Sequence, residues 1–311
     1  MTNLPKRRLG RSAMTPAAIG LGGAWWQQAG RQGTIAGIRT ALDLGMDFLD
    51  TYPGQNEEIW GEVIAAAGCR QRIYLQAKVS SHVRNERTSD HSAKKTRASV
   101  EASLRDLRTD YLDCVLIHGY DQPEQLEAGD FLDPLAPGNA LDELLKMKAE
   151  GLVRHIGLGA RSAQVHQRAI ATGHIELILT YLEYNLLTQA AATELFPLCR
   201  AQDVGVILAS PLAMGLLTGA QPDAEDEQRK VRDLVEPRAQ RMWQWCQSRG
   251  VDIRHLAVQF CLAAPVAGFV LPGQASADEV RTSYEAGVAV VGEDVWRAFG
   301  AEFGIDVTEL I

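Results

Sequence analysis

The sequence lacks the features that mark several classes of protein. Its five cysteines are scattered without a Cys-x-x-Cys pair, which disfavours a disulfide framework, and no other residues show metal-ligand spacing. No apolar run approaches the roughly 18 residues of a membrane span, and no apolar segment follows the basic start of the chain. Positive charge is also scarce, and a net charge of −8 disfavours nucleic acid and anionic membranes as partners. We therefore expect a cytoplasmic protein, monomeric or homo-oligomeric, that binds a small-molecule substrate and no metal.

Short apolar strands and amphipathic helices alternate through most of the chain. Strands are predicted at 17–22, 47–51, 73–79, 111–118, 155–159, 175–184, 204–209 and 268–271. Eight such units without a linker or a repeat predict one α/β domain, residues 1–311, folded as a (β/α)8 TIM barrel. Residues 4–18 predict an N-terminal β-hairpin, and the tail from Glu293 predicts an extra C-terminal helix beyond the barrel helices. Residues 119–138 and 222–238 are predicted as a substrate-side loop and a charged excursion over one mouth.

Polar residues suited to acid–base chemistry end three of the predicted strands. Asp50, Thr51 and Tyr52 follow the second strand, Lys78 ends the third and His118 ends the fourth. The carboxyl ends of parallel strands meet at one mouth of a barrel. A phenol gives up its proton only near pH 10, but an ammonium group held in place by a carboxylate lowers that value. The sequence therefore predicts Asp50, Tyr52, Lys78 and His118 as a catalytic set suited to reducing a carbonyl.

The motifs around these residues resemble those of the aldo-keto reductases. In chain order they read R-L-G-R-S (8–12), G-M-D-F-L-D-T (45–51), E-E-I-W-G (57–61), A-K-V (77–79), D-Y-L-D with I-H (110–118), G-L-V-R-H-I-G (151–157), S-P-L-A-M-G-L-L-T-G (210–219) and L-P-G (271–273). Together they cover nearly the whole chain. The resemblance implies a (β/α)8 barrel, an NAD or NADP cofactor and an Asp–Tyr–Lys–His tetrad.

The resemblance also implies where the cofactor binds. The residues at matching positions are Gly22, Tyr184, Ser210, Leu212, Gly215, Gly273, Ser276 and Glu279. Tyr184 would stack on the nicotinamide, and the loop from Ser210 would hold phosphate. Glu279 stands where NADP-binding members carry a basic residue, which favours NAD, although Arg281 could compensate. Ser276 would offer an anion site at a helix start or simply cap that helix.

Several departures from the family pattern leave the chemistry open. The tyrosine loop is about two residues shorter, so Gln55 stands at the ungapped position; either Tyr52 takes the catalytic place or the phenol is lost. Gly159 and Ala160 replace the Ser-Asn that binds the carboxamide, and Tyr181 replaces a glutamine.

Two adjacent tryptophans, Trp25 and Trp26, follow the first predicted strand. They are interpreted as a substrate-binding lid that could stack on a sugar ring, with a wedge in the shell as the alternative. The sequence thus predicts an oxidoreductase that transfers hydride between NAD(P) and a carbonyl or hydroxyl of a small polar substrate, such as a sugar or aldose. A lyase or isomerase on a sugar-like substrate and a nucleotide-sensing regulatory subunit are the alternatives.

Overall fold

The computed structural model describes residues 3–79, 90–121, 132–222 and 236–311. Within them, seven strands form one parallel sheet in chain order. The strands are β1 (Phe48–Asp50), β2 (Tyr74–Val79), β3 (Leu112–Ile117), β4 (Val153–Ala160), β5 (Leu177–Tyr181), β6 (Gly205–Ala209) and β7 (Gly268–Leu271). The helices are α1 (Gly30–Asp43), α2 (Glu57–Ala67), α3 (Ala93–Asp106), α4 (Ala140–Ala149), α5 (Ala163–Ala171), α6 (Ala190–Glu194), α7 (Phe196–Ala201), α8 (Glu236–Arg249), α9 (Ile253–Leu262), α10 (Ala277–Val288) and α11 (Glu293–Phe303). The α/β class predicted from the sequence is confirmed.

The segment predicted as the first strand lies between the two edges of this sheet. The amide of Gly20 donates to the carbonyl of Val270 in β7 (3.0 Å), and the amide of Leu21 donates to the carbonyl of Phe48 in β1 (2.9 Å). These contacts form isolated bridges and not a regular strand, so the described residues contain seven strands where the sequence predicts eight. The sheet is therefore curled, because its first and last strands share one neighbouring segment.

The start of the chain covers the amino-terminal ends of the strands. Antiparallel hydrogen bonds join the amide of Arg7 to the carbonyl of Pro16 (2.8 Å) and the amide of Ala18 to the carbonyl of Pro5 (2.8 Å). With one bridge between these segments, regular strands do not form, and the predicted β-hairpin is not confirmed. The amide of Arg11 donates to a carbonyl just before β6, which fixes this segment on the side away from the strand ends that carry the predicted site.

Two apolar clusters form the core, one between the strands and the helices and one inside the curl of the sheet. The buried members of the inner cluster are Leu9, Met14, Phe48, Cys114, Leu116, Leu177, Leu179, Ile207, Phe269 and Leu271. Side chains alternate across a strand, so Asp50 follows Phe48 onto this inner face. Gln76 and Lys78 share it, because they pair in register with Cys114 and Leu116. Alternation therefore carries polar groups from β1 and β2 into the barrel interior.

Two helical regions differ from the sequence prediction. The helix predicted at 193–202 is divided into α6 and α7, because Pro197 has no amide with which to bond the carbonyl of Thr193. Helix α8 begins within a region predicted as an excursion and buries Ala239, Met242 and Cys246. Parts of the predicted loops 119–138 and 222–238 lie outside the described residues. None of the described helices is long and apolar enough to cross a membrane.

Candidate active site

The exit from β1 brings Asp50, Thr51 and Tyr52 to the carboxyl end of the sheet. A turn follows at once: the amide of Gln55 donates to the carbonyl of Tyr52 (2.9 Å), and Gly54 has a φ of 79°. A proline followed by a glycine with positive φ is the sequence pattern of a type II turn. This turn is the shortened loop seen in the sequence. It leaves Tyr52, two residues after Asp50, on the inner face of the sheet.

Lys78 and Asp50 form an ion pair beneath Tyr52. The Lys78 ammonium donates to Oδ1 of Asp50 and to the carbonyl of Thr51 (3.3 Å), and it lies 3.7 Å from the centroid of the Tyr52 ring. The side chains of Lys78 and Asp50 are only 0% and 4% exposed. Burial lowers the pKa of Lys78, and the carboxylate of Asp50 opposes this change. A cation held here stabilises the phenolate form of Tyr52.

His118, directly after β3, meets the phenol of Tyr52. Tyr52 Oη and His118 Nε2 lie 3.0 Å apart, and the two rings stand at 81° to each other. Both side chains are half-buried, so the phenol and the imidazole can be reached from the mouth. A Cβ atom on Gly159 in β4 would stand 3.3 Å from Cδ2 of His118, so the absence of a side chain there leaves room for the imidazole. The structure therefore brings all four predicted catalytic side chains together.

A cleft of about 510 Å³ opens between the loop after β6 and the start of α10. Five of the predicted cofactor residues line it, namely Ser210, Leu212, Gly215, Gly273 and Glu279. Its volume lies within the range of small-molecule and cofactor pockets. At its rim, a Cβ atom on Gly273 would stand 2.9 Å from the indole nitrogen of Trp25, so glycine keeps this edge of the cleft open. The residues that follow β6 and β7 thus line one cleft.

Arg254 and Glu279 are the charged side chains among the described residues that line this cleft. Arg254 is already bound by Asp252, whose carboxylate accepts from Nε (2.9 Å) and Nη2 (2.5 Å) of the guanidinium. The Glu279 carboxylate accepts the amide of Ala275 (2.6 Å), and the Glu279 amide donates to Oγ of Ser276 (3.2 Å). The cleft therefore presents one carboxylate and one guanidinium that is already neutralised.

Two aromatic residues predicted at the site belong to the core instead. The ring of Tyr184 stacks on Phe260 with centroids 5.0 Å apart, and only 9% of the residue is exposed. Trp26 is completely buried, its indole nitrogen donates to a backbone carbonyl (2.8 Å), and its ring meets Trp60 edge-on. Stacking of a nicotinamide on Tyr184 and of a substrate on Trp26 therefore does not fit the structure. Trp25 is half-buried and lines the cleft, which places it beside the predicted cofactor residues.

Gly22 and Ser276 lie beside the cleft, and the contacts that the structure gives them are with neighbouring chain segments. Gly22 donates its amide to Oε1 of buried Gln274 (2.9 Å), and a Cβ atom on it would stand 2.3 Å from the carbonyl oxygen of Pro272. Ser276 accepts the amide of Glu279 and so caps α10. Neither residue lines the described cleft. The glycine permits a close approach of two chain segments, and the serine begins a helix.

Asp121 and Tyr181 form a polar pair at the same end of the sheet, and the sequence did not assign it. The hydroxyl of Tyr181, the last residue of β5, donates to Oδ2 of Asp121 (2.9 Å). The amide of Arg161, directly after β4, donates to Oδ1 of the same carboxylate (3.1 Å). Asp121 lies three residues after His118, so it links the exits of β3, β4 and β5. The replacement of the family's glutamine by Tyr181 was a signal in the sequence, whereas Asp121 lies in no motif.

Comparisons with known proteins show which family the chain resembles. A model of the aldo/keto reductase family matches residues 18–300. The chain is 30% identical to L-galactose dehydrogenase of Arabidopsis thaliana over 297 residues, which cover 92% of this chain and 89% of that protein. It is 29% identical to D-threo-aldose 1-dehydrogenase of a Pseudomonas species over 209 residues, which cover 67% and 61%.

A solved structure shows the same fold. The holo form of an aldo-keto reductase from Bacillus halodurans matches with a TM-score of 0.77 at 24% identity, over 99% of this chain and 100% of that one.

Among the residues that the structure describes, no group of three or more His, Cys, Asp or Glu side chains could hold a metal ion. The tetrad, the cleft and the Asp121–Tyr181 pair together make up the candidate site.

Proposed function

The chain belongs to the aldo/keto reductase family, and from this premise we propose that it is an NAD-linked dehydrogenase of an aldose or related sugar. NAD(P)-dependent oxidoreduction is the reaction class that its relatives share. One observation carries the proposal. The phenol oxygen of Tyr52 lies 3.0 Å from Nε2 of His118, and the Lys78 ammonium lies 3.7 Å from the centre of the Tyr52 ring.

In this proposal the four tetrad side chains share the proton transfer: Tyr52 takes or returns the proton, and the other three position or stabilise it. The nicotinamide, when bound, supplies the hydride acceptor or donor. Tyr52 as phenolate takes the proton of the substrate hydroxyl while the hydride leaves the same carbon. His118 hydrogen-bonds the substrate oxygen and orients it toward Tyr52, and Lys78, held by Asp50, stabilises the phenolate. In the reverse direction the phenol returns its proton to the carbonyl oxygen.

The Asp121–Tyr181 pair, at the same end of the sheet as the tetrad, supports a substrate rich in hydroxyl groups. The carboxylate of Asp121 accepts from Tyr181 and from the backbone of Arg161, which holds its two oxygens in one orientation. Each carboxylate oxygen can accept more than one hydrogen bond, so Asp121 suits the donor hydroxyls of a sugar. Two relatives are named for galactose and for threo-aldoses. We infer that the reacting carbon is the anomeric one.

The charges in the cleft favour NAD over NADP. A 2′-phosphate would meet the Glu279 carboxylate and an Arg254 guanidinium that Asp252 already binds. The ribose hydroxyl of NAD would instead find a carboxylate acceptor in Glu279. The cleft is lined by Ser210 and Gly215 on the β6 side and by Gly273 on the β7 side. These residues would hold the cofactor without a clash from a side chain at Gly273.

The proposal is tested by binding and by turnover. Calorimetric titration with NAD and NADP should give micromolar binding of NAD and weaker binding of NADP. A panel of aldoses, simple aldehydes and methylglyoxal, followed by absorbance of the reduced nicotinamide, should show the highest kcat/KM for an aldose. Lys78→Met serves as the inactive control.

Each contrary outcome points to a different function. Binding of NAD without turnover of any carbonyl or sugar would indicate a nucleotide-sensing subunit. Conversion of a sugar without any nicotinamide would indicate a lyase or isomerase. Turnover restricted to simple aldehydes would contradict the sugar assignment and leave the oxidoreductase class intact.

A further inference from the structure

Gln76 lies directly below the ion pair of the tetrad. It is on β2, two residues before Lys78, and faces the interior of the curled sheet, where it is completely buried. Its side-chain amide donates to Oδ1 of Asp50 at 2.6 Å, and the Lys78 ammonium donates to that same oxygen. One carboxylate oxygen therefore accepts two hydrogen bonds, one from a neutral amide and one from a charged ammonium group.

The surroundings of Gln76 are apolar, so packing alone would favour an apolar side chain at this position. Gln76 pairs in register with Cys114, and the inner cluster around this level is apolar. Its Oε1 atom is buried and accepts no hydrogen bond from the residues that the structure describes. A buried polar group without a partner is destabilising, and an apolar side chain would avoid that cost. The retained amide therefore calls for an explanation in terms of the neighbouring charges.

We propose that Gln76 is a positioning residue for the tetrad, which holds the Asp50 carboxylate directed at Lys78. This inference rests on the proposed function, because it assigns a role to the charge under Tyr52. A hydrogen bond to a carboxylate stabilises the charged form. With the amide in place, the proton of the pair stays on Lys78, and the cation remains beneath the phenol. Without it, the carboxylate holds the Lys78 cation less firmly, and the phenolate loses part of its stabilisation.

Other ionisable groups also face the pair. They are Glu57 on α2, Cys114 on β3, His118 after β3 and Tyr52 after β1. Of these, Glu57 accepts from the Thr51 hydroxyl (2.7 Å), and burial raises its pKa. The Gln76 variant leaves all four of these residues in place. A shift in pH dependence in such a variant is therefore assigned to the lost amide.

The kinetic test is Gln76→Met, which removes the donor and keeps the length of the side chain. We expect kcat for sugar oxidation to fall at least tenfold with KM values for NAD and substrate within about twofold of wild type. The acidic limb of the kcat profile should move to higher pH, because the phenolate loses part of its stabilisation. Thr180→Val on β5 is the matched control: it also replaces a buried polar side chain, faces the opposite side of the sheet and should leave the profile unchanged. If Gln76→Met does not fold, Gln76→Leu removes the same donor.

A spectroscopic titration makes the inference independent of turnover. Ultraviolet difference spectra report tyrosinate formation, and subtraction of the Tyr52→Phe titration isolates the Tyr52 contribution. Gln76→Met should raise the midpoint of that contribution by about one pH unit. An unchanged midpoint together with an unchanged acidic limb would overturn the role of Gln76. Absence of turnover in wild type would count against the proposed dehydrogenase, while the midpoint shift would still decide the role of the amide.

Discussion

The Lys78–Asp50 ion pair allows a test in which variants change the stability of the protein and its activity in different ways. Both side chains are buried, and Asp50 also accepts from Gln76. Lys78→Met replaces the ammonium with an apolar side chain of similar length and leaves the Asp50 carboxylate buried without its cation. Breaking a buried pair by removing one partner costs about 3–5 kcal/mol. We therefore expect Lys78→Met to lose that much unfolding free energy and all measurable turnover.

Removal of both charges should restore stability without restoring activity. In the double variant Asp50→Leu/Lys78→Met no charge remains to be desolvated, and replacement of a buried pair by apolar residues is often neutral or stabilising by about 1–4 kcal/mol. Asp50→Leu alone should be milder than Lys78→Met, because the lysine can give up its proton and burial already lowers its pKa. The pair would then be retained for chemistry at the expense of stability.

The assay is urea unfolding followed by circular dichroism, with the slope of the transition checked for each variant. Calorimetric binding of NAD to the double variant verifies that the cleft persists. A Lys78→Met protein as stable as wild type would contradict this prediction, because the buried carboxylate would then cost nothing. A double variant less stable than both single variants would refute it as well.

Three further predictions concern the periphery of the site. Burial lowers the pKa of His166 from 6.5 to about 4, so the native state favours the neutral ring; stability is complete above pH 6.5 and falls as the pH drops toward 4, by about 3 kcal/mol. His166→Gln should flatten this part of the stability–pH curve in urea unfolding, whereas exposed His174→Gln should not. Tyr181→Phe removes a hydrogen bond to Asp121 and should raise KM for the sugar about two- to tenfold with unchanged NAD affinity; an unchanged KM would exclude the pair from substrate binding. Glu279→Gln keeps an acceptor for the helix cap but removes its charge, so NADP should bind about fivefold more tightly by calorimetry, and no gain would dismiss the role of Glu279.

The sequence predicts those site residues whose position follows from the alternation of side chains along a strand. Asp50, Tyr52 and Lys78 end or follow strands and point inward because side chains alternate. The proline and Gly54 after Tyr52 also signal the tight turn that shortens the loop. Helix α8 could have been found as well, since Ala239, Met242 and Cys246 follow helical spacing.

The aromatic residues could not be placed by the same reasoning. Tyr184 is covered by Phe260 from α9, and Trp26 by Trp60 from α2, so their burial depends on segments distant in the sequence. No local pattern distinguishes a ring that closes the shell from one that lines a pocket.

The supporting polar groups share this difficulty. Gln76 and Asp121 gain meaning only from partners on other strands or their exits. From the sequence alone, a glutamine in a strand and an aspartate in a loop are unremarkable. Their roles emerge from the register that sets Gln76 beside Asp50 and from the exits of β3 and β5 that meet at Asp121.

In the proposed dehydrogenase, Tyr52 is the acid–base group of the hydride-transfer reaction. The most direct measurement is the single-turnover rate of Tyr52→Phe with NAD and the best sugar of the panel, beside calorimetric binding of NAD to the same variant. We expect a loss of about 10²- to 10⁴-fold in rate with cofactor affinity unchanged, because phenylalanine keeps the ring above Lys78 but removes the proton acceptor. A rate within a few-fold of wild type would contradict this expectation and would mean that another group takes the proton.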